Sequence, residues 1–277
     1  MTERRIDFRV ISLGAGVQST ALLLMAEHGE FDVKPDAAIF ADTQDEEPAT
    51  YEHLDWLERT VKTIPIYRVT VGHLGADVLA SVREGKRVAN PPFYTPTINK
   101  DTGRVEAAPL RRNCTKEYKI EAIHKAIREL LGYKPRQRVR HTVEQWIGIS
   151  LDEVQRMRDS FNAWTVHRYP LIERRMTRWD CQLWLERNGY PIPPKSSCYF
   201  CPYHSNAYWR EMRDKRPEVW QKAVEFDRAI RQGPRGARGE CYLHRSLKPL
   251  DEVDLDADVV EGQMELFGEE CFGMCGV

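Results

Sequence analysis

Three short apolar runs separated by two helical stretches fill the first seventy residues, and this alternation constrains the fold more than any other feature. The run FRVISLG, Phe8 to Gly14, reads as a strand carried by Val10, Ile11 and Leu13. STALLLMAE, Ser19 to Glu27, reads as a helix apolar on nearly every face. AAIFAD, Ala37 to Asp42, is a second strand. Glu47-Pro48 then opens a helix in which Tyr51, Leu54 and Leu57 recur at helical spacing, and Ile64 to Val71 is a third strand. Strands alternating with helices are joined by right-handed crossovers, so the spacing predicts an α/β fold: a parallel twisted sheet with helices on both faces.

Beyond the third strand, Gly85 to Arg112 reads as an irregular loop carrying Pro91, Pro92, Pro96 and Pro109. Helix is expected from Lys116 to Leu131, strand from Val143 to Ser150, and then a helix containing Glu153, Arg156 and Met157. The C-terminal part changes character: it holds Trp179, Trp184, Trp209, Trp220 and most of the cysteines, with helices at Asp180 to Arg187 and Pro217 to Ile230. Three units are expected: an α/β nucleotide-binding domain over 1–165, a helical Cys-rich part over 166–250, and an acidic flexible tail over 251–277.

The chain has 277 residues and a formal charge of −1, which excludes a global nucleic-acid footprint but not local basic patches. Such patches are KPRQRVRH, Lys134 to His141, and RGARGE, Arg235 to Glu240. No run of eighteen apolar residues and no signal-like segment is present, so a cytoplasmic protein with no membrane contact is expected. In a reducing compartment seven cysteines point to metal ligation or catalysis rather than to a disulfide framework.

Ser12 to Thr20, SLGAGVQST, joins the first strand to the first helix. Such a turn offers backbone N–H groups and a helix N-terminus to an anion. Gly14 and Gly16 permit close approach, and Ser19 and Thr20 add hydroxyls. The segment lacks the Gly-Lys-Ser/Thr of a Walker A loop and the third glycine of a dinucleotide fingerprint. A phosphate cradle and a plain strand–helix turn both fit these residues. In a parallel sheet Asp42, at the end of the second strand, lies beside this loop, where it either positions a ligand or caps the next turn.

GAGVQSTAL resembles the pyrophosphate loop, S-G-G-x-D-S-T, of the adenine nucleotide alpha-hydrolase superfamily. FADTQDEEPATYEHL, RRNCTKEYKIEAI and WIGISLDEVQR are similar, in order, to the Asp-Thr-Gly, Cys-Thr-x-x-x-Lys and Trp-x-Gly-Ile-Arg-x-x-Glu-x-x-Arg segments of phosphoadenosine phosphosulfate reductases. The resemblance implies an adenine nucleotide alpha-hydrolase-like fold and an adenine nucleotide, with or without Mg, at Ser12, Gly14, Gly16, Gln18, Ser19, Thr20, Asp42 and Gly148. Four positions depart from the family pattern. Ala15 and Gln44 replace glycines, Ser150 replaces arginine, and Gln18 replaces the aspartate of ATP-cleaving members.

Cys198 and Cys201 form a Cys-x-x-Cys pair, and Cys114 lies upstream after Asn113. Reductases of this family that act on adenosine phosphosulfate place a Cys-Cys pair and a Cys-x-x-Cys pair around a 4Fe–4S cluster. The resemblance therefore implies a cluster on Cys114, Cys198 and Cys201, with Cys241 a candidate fourth ligand. Structural zinc, with His204 and Cys241 available, is the alternative. The tail GEECFGMCGV resembles the Glu-Cys-Gly tail whose thiolate attacks sulfonyl sulfur, which makes Cys271 and Cys275 the candidate catalytic thiols.

The expected function is sulfur reduction or transfer on an adenine-nucleotide platform. The expected partners are an adenine nucleotide or adenosine phosphosulfate, a thiol reductant protein, and a second copy in a homodimer. Two other readings stand: ATP-dependent thiolation of DNA or tRNA, served by the basic loops, and nucleotide sensing without catalysis.

Overall fold

In a computed structural model, residues 5–237 and 239–256 are described. Cys271 and Cys275 lie outside the described residues.

Five parallel strands form the main sheet in the order β3-β2-β1-β6-β7: β1 Phe8–Leu13, β2 Ala37–Ala41, β3 Ile66–Val69, β6 Val143–Ile147 and β7 Thr165–Arg168. Alternation along the strands sends Ile11, Leu13, Ala38 and Phe40 to one face and Val10, Ala37, Ile39 and Ala41 to the other. The first face is covered by α1 (Val17–Glu27), α2 (Pro48–Thr60) and α6 (Arg178–Arg187). The second is covered by α4 (Glu121–Leu130) through Ala122, Ile123, Ala126 and Ile127. Helix α1 is apolar all round and is buried all round, between the sheet and α6.

A second core is helical. It unites α3 (Leu74–Glu84), α7 (Asn206–Lys215), α8 (Pro217–Ala229) and the chain from Cys241 to Leu255 around Trp209, Phe93 and Phe200. Phe200 stacks on Phe226 with ring centroids 4.0 Å apart. Buried Asp227 on α8 accepts the backbone N–H groups of Leu243 and Leu250 and pairs with Arg231, which ties the 241–250 segment to the helix.

Several elements differ from the sequence reading. The segment from Gly85 to Arg112 contains an antiparallel hairpin, β4 (Tyr94–Ile98) and β5 (Val105–Pro109). Its prolines are compatible with a two-stranded edge ladder, and its exposure leaves no apolar alternation to read. Helix α3 and strand β7 were not expected at all; TVHR in β7 carries a single aliphatic residue. The stretch after β6 is a short 3₁₀ turn, Leu151–Arg156, with no buried residue, so no apolar stripe holds a longer helix there. Residues 115–120 form a π-helical turn ahead of α4. Beyond residue 165, β7 hydrogen-bonds to β6, and Leu171, Cys181 and Leu185 pack into the core of the sheet. Among the described residues no helix is long and apolar enough to cross a membrane.

Candidate functional site at the carboxyl edge of the sheet

The chain builds β1-β2-β3 in one direction, then returns to add β6 and β7 on the other side of β1. The reversal point lies between β1 and β6, and the crevice beyond their carboxyl ends is where such sheets bind ligands. The glycine loop leaves β1 at this point and Gly148 leaves β6 beside it.

The loop is shaped by its own backbone. Ala15 is fully buried at φ 57°, and Ser19 Oγ accepts from Gly14 N at 3.2 Å while donating to Gly16 O at 3.3 Å. Gly16 precedes α1 with no side-chain cap, and no acidic residue occupies the first turn. The helix dipole and its leading N–H groups are therefore offered to an anion. Gly148 is the close-packing residue: a Cβ there would fall 2.9 Å from Ser19 Cα. Of the other residues expected at the loop, Ser12 Oγ accepts from Gln145 Nε2 at 2.5 Å inside the sheet, and Thr20 Oγ1 meets His53 Nε2 at 3.0 Å in the core. Burial lowers the His53 pKa to about 4, so this imidazole is neutral.

Gln18 stands where the pyrophosphate-loop pattern that the segment resembles carries aspartate. Its Nε2 donates to Ser150 Oγ at 3.3 Å and to Glu153 Oε2 at 3.1 Å, and its Oε1 accepts from Arg178 Nη1 at 3.2 Å. Asp42 Oδ1 accepts from Gln44 N and from Tyr51 OH. Gln44, where the resembling motif carries glycine, has a left-handed backbone at φ 64°.

The segment that follows β2 bridges this crevice to the cysteines. Thr43 Oγ1 lies 3.2 Å from Cys198 Sγ, Glu46 pairs in a β-bridge with Cys198, and Tyr199 N donates to Asp45 O. Asp45, Glu46 and Glu47 are all buried, and each carboxylate fastens a different element. Asp45 accepts from Gly75 N at 2.7 Å and faces His73 Nδ1. Glu46 holds Lys119 Nζ at 3.0 Å and Ser196 Oγ. Glu47 pairs with Tyr208 and Arg216. Burial raises the Asp45 pKa to about 6, against the opposing pull of the Gly75 N–H and His73. This strap was not singled out from sequence; three consecutive carboxylates directly after a buried strand were the available signal.

Cys114, Cys198 and Cys201 line one cavity of about 30 Å3 together with Thr43, Arg112 and Lys119. Burial, reinforced by the Glu46 charge and opposed by Lys119, pushes the Cys198 thiol well above its ordinary value. His204 Nε2 donates to Cys198 O at 3.0 Å, and its buried Nδ1 has no partner. Cys241 is buried in the helical core, its Sγ 4.0 Å from Gly239 O, and does not line the cavity. Thiols with adjacent cations suit a thiophilic group such as an iron–sulfur cluster or zinc. No group of three or more His, Cys, Asp or Glu side chains placed to hold a metal is found among the described residues.

The fold is α/β, a five-stranded parallel sheet with helices on both faces. No family model matches the chain, and no curated protein matches it. Among solved structures it is similar to the phosphate complex of phosphoadenylyl-sulfate (PAPS) reductase from Candida auris. That likeness is 16% in identity over 69% of this chain and 76% of the other, with a TM-score of 0.39.

The basic loop Lys134–His141 lies elsewhere. It joins α4 to the start of β6, at the amino edge of the sheet and a strand length from the crevice.

Proposed function

We propose that the chain is a phosphoadenosine phosphosulfate reductase-like enzyme that carries out sulfur chemistry on a bound adenine nucleotide. One observation carries this reading: Thr43, one residue past Asp42 at the nucleotide crevice, has its hydroxyl 3.2 Å from the thiol of Cys198. Nucleotide loop and cysteine cavity are two ends of one site.

In this reading Gly14, Gly16 and Ser19 hold the phosphate-type group, and Asp42 with Tyr51 fixes the rim. Cys114, Cys198 and Cys201 are the residues that would hold an iron–sulfur cluster, or zinc as the alternative, once their thiols converge from the cavity wall they share. Bound there, such a cluster would supply thiophilic redox chemistry next to the nucleotide. Arg112 and Lys119, the latter paired with Glu46, line the same wall. A thiolate of the tail, Cys271 or Cys275, attacks the sulfonyl sulfur; the S–O electron pair leaves with the nucleoside phosphate. The second thiol then attacks the first to form a disulfide and release sulfite.

Anaerobic purification with iron, sulfide and zinc quantified tests the cofactor. About four irons and four sulfides per chain, lost in Cys198→Ser, support the cluster; one zinc and no iron removes it. Sulfite release from adenosine phosphosulfates, abolished in Cys271→Ser or Cys275→Ser, tests the reaction.

A further inference from the structure

The loop that joins α4 to β6 at the amino edge of the sheet carries Lys134, Arg136, Arg138 and Arg140, with no carboxylate among them. All four cations are exposed, and among the described residues none of them has an ion pair. Arginines elsewhere on the surface are neutralised: Arg68 by Asp55 and Glu58, Arg87 by Glu117, Arg228 by Asp251. The carboxylates next to the loop are already engaged. Glu129 faces Lys125 at 4.0 Å, Glu144 holds Arg9 at 3.3 Å, and Asp7 accepts from Thr142 N at 2.8 Å while pairing with Arg5. The loop therefore keeps its positive charge.

It also keeps a defined shape. Arg128 Nη2, from the last turn of α4, donates to Lys134 O at 2.8 Å and to Gln137 O at 2.7 Å. Gln137 closes the turn by accepting from Lys134 N with its side chain at 2.9 Å and donating to Lys134 O with its backbone at 3.1 Å. Tyr133 OH accepts from Arg140 N at 2.9 Å and meets His141 Nδ1 at 2.6 Å, which fastens the far end. One arginine is thus spent on the loop's carbonyls so that the others are displayed. Tyr133, Gln137, Arg138, Val139 and Arg140 line an open hollow of about 730 Å3. A charge run that is only a solvated face needs neither the cross-ties nor the concavity.

We infer that the 133–141 loop is a docking surface for the phosphate backbone of a nucleic acid, at the edge of the sheet opposite the nucleotide crevice and independent of the chemistry proposed there. Three of the four unpaired cations are arginines, whose planar fork matches a phosphate with two parallel hydrogen bonds. Charge density favours a nucleic acid over an acidic protein segment. A duplex presents one negative charge per about 1.7 Å of its axis, an extended peptide at most one per about 3.3 Å. A membrane surface fits less well, because no large apolar side chain is exposed between residues 131 and 142 to enter the lipid boundary. The contacts are to phosphates, so binding carries no base preference.

Fluorescence anisotropy of a labelled DNA duplex of about 20 base pairs, and of the RNA duplex of the same sequence, titrated with the full chain over a salt series tests it. Four phosphate contacts predict that affinity for one or both duplexes falls about 100-fold between roughly 50 and 200 mM salt. The triple variant Arg136→Ala, Arg138→Ala, Arg140→Ala is expected to weaken binding about 10- to 100-fold at the lower salt and to flatten the salt slope to about one contact. The triple Arg→Lys variant is expected to keep the slope, since it keeps the charges, while losing part of the affinity with the fork. Circular dichroism is expected to be unchanged in both, because the substituted side chains are exposed; if the alanine variant unfolds, the slope of the lysine variant and the double variant Arg138→Ala, Arg140→Ala still decide. Three results overturn the inference: no binding of either duplex at the lower salt, an alanine variant within twofold of wild type at an unchanged slope, or tighter binding of polyglutamate or of phosphatidylserine vesicles than of either duplex.

Discussion

Gly148 and Ser19 touch so closely that a methyl group cannot be added between them: a Cβ on Gly148 would lie 2.9 Å from Ser19 Cα and 3.0 Å from Ser19 N. The end of β6 therefore serves as the floor against which the first turn of α1 rests. Gly148→Ala is expected to push the loop away from β6, with a cost of about 1–3 kcal/mol for overpacking. Urea denaturation checks the stability, and nucleotide titration is expected to show a weaker Kd.

Ala15 and Gln44 stand in left-handed backbone at φ 57° and 64°, at two positions where the related motifs carry glycine. Side chains in that region carry strain of roughly 1–2 kcal/mol, partly offset by the greater unfolded-state freedom of glycine. Ala15→Gly is expected to raise stability by about 0.5–1 kcal/mol, read as a rise in the denaturation midpoint with an unchanged slope.

The Glu46–Lys119 pair is closed from solvent, with Glu46 at 0% and Lys119 at 12% side-chain exposure. Lys119→Met leaves a buried carboxylate without its cation and is expected to cost about 3–5 kcal/mol. The double variant Glu46→Gln, Lys119→Met is expected to recover most of that loss, because the charge is removed with its partner. Equal denaturation midpoints for the single and double variants would show the two groups to be uncoupled.

Burial raises the folded-state pKa of Asp45 to about 6, above the ordinary 3.8 of an aspartate. A raised acid binds its proton more tightly when folded, so its contribution is fully present below about pH 4 and is lost as pH rises to about 6. His53 and His124, both lowered to about 4 by burial, act oppositely across this window: their contribution is lost as pH falls from 6.5 toward 4. The difference in unfolding free energy between Asp45→Asn and wild type isolates the carboxylate. It is expected to rise between pH 4 and 6 in favour of the variant, by on the order of 2 kcal/mol, and then to level off. A flat difference would place the carboxylate in a solvated environment.

The parallel sheet was legible because β1, β2, α1 and α2 are long enough to show their periods, and because a helix as apolar as Ala21 to Ala26 belongs inside. The glycine loop was legible through Gly14 and Gly16. The hairpin of β4 and β5, the edge strand β7 and helix α3 were not: the two sheet elements are short or exposed, and none was signalled by a distinctive motif.

Sequence by itself determined the α/β class, the place of the glycine loop and the grouping of Cys198 with Cys201, because these depend on residues near one another in the chain. Only the tertiary structure decided that Cys114 shares their cavity while Cys241 lies in the core, that Thr20 serves His53, and that Arg178 reaches Gln18. Those contacts join residues tens to more than a hundred positions apart. Their partners are chosen by the order in which strands are laid into the sheet, which no local spacing encodes.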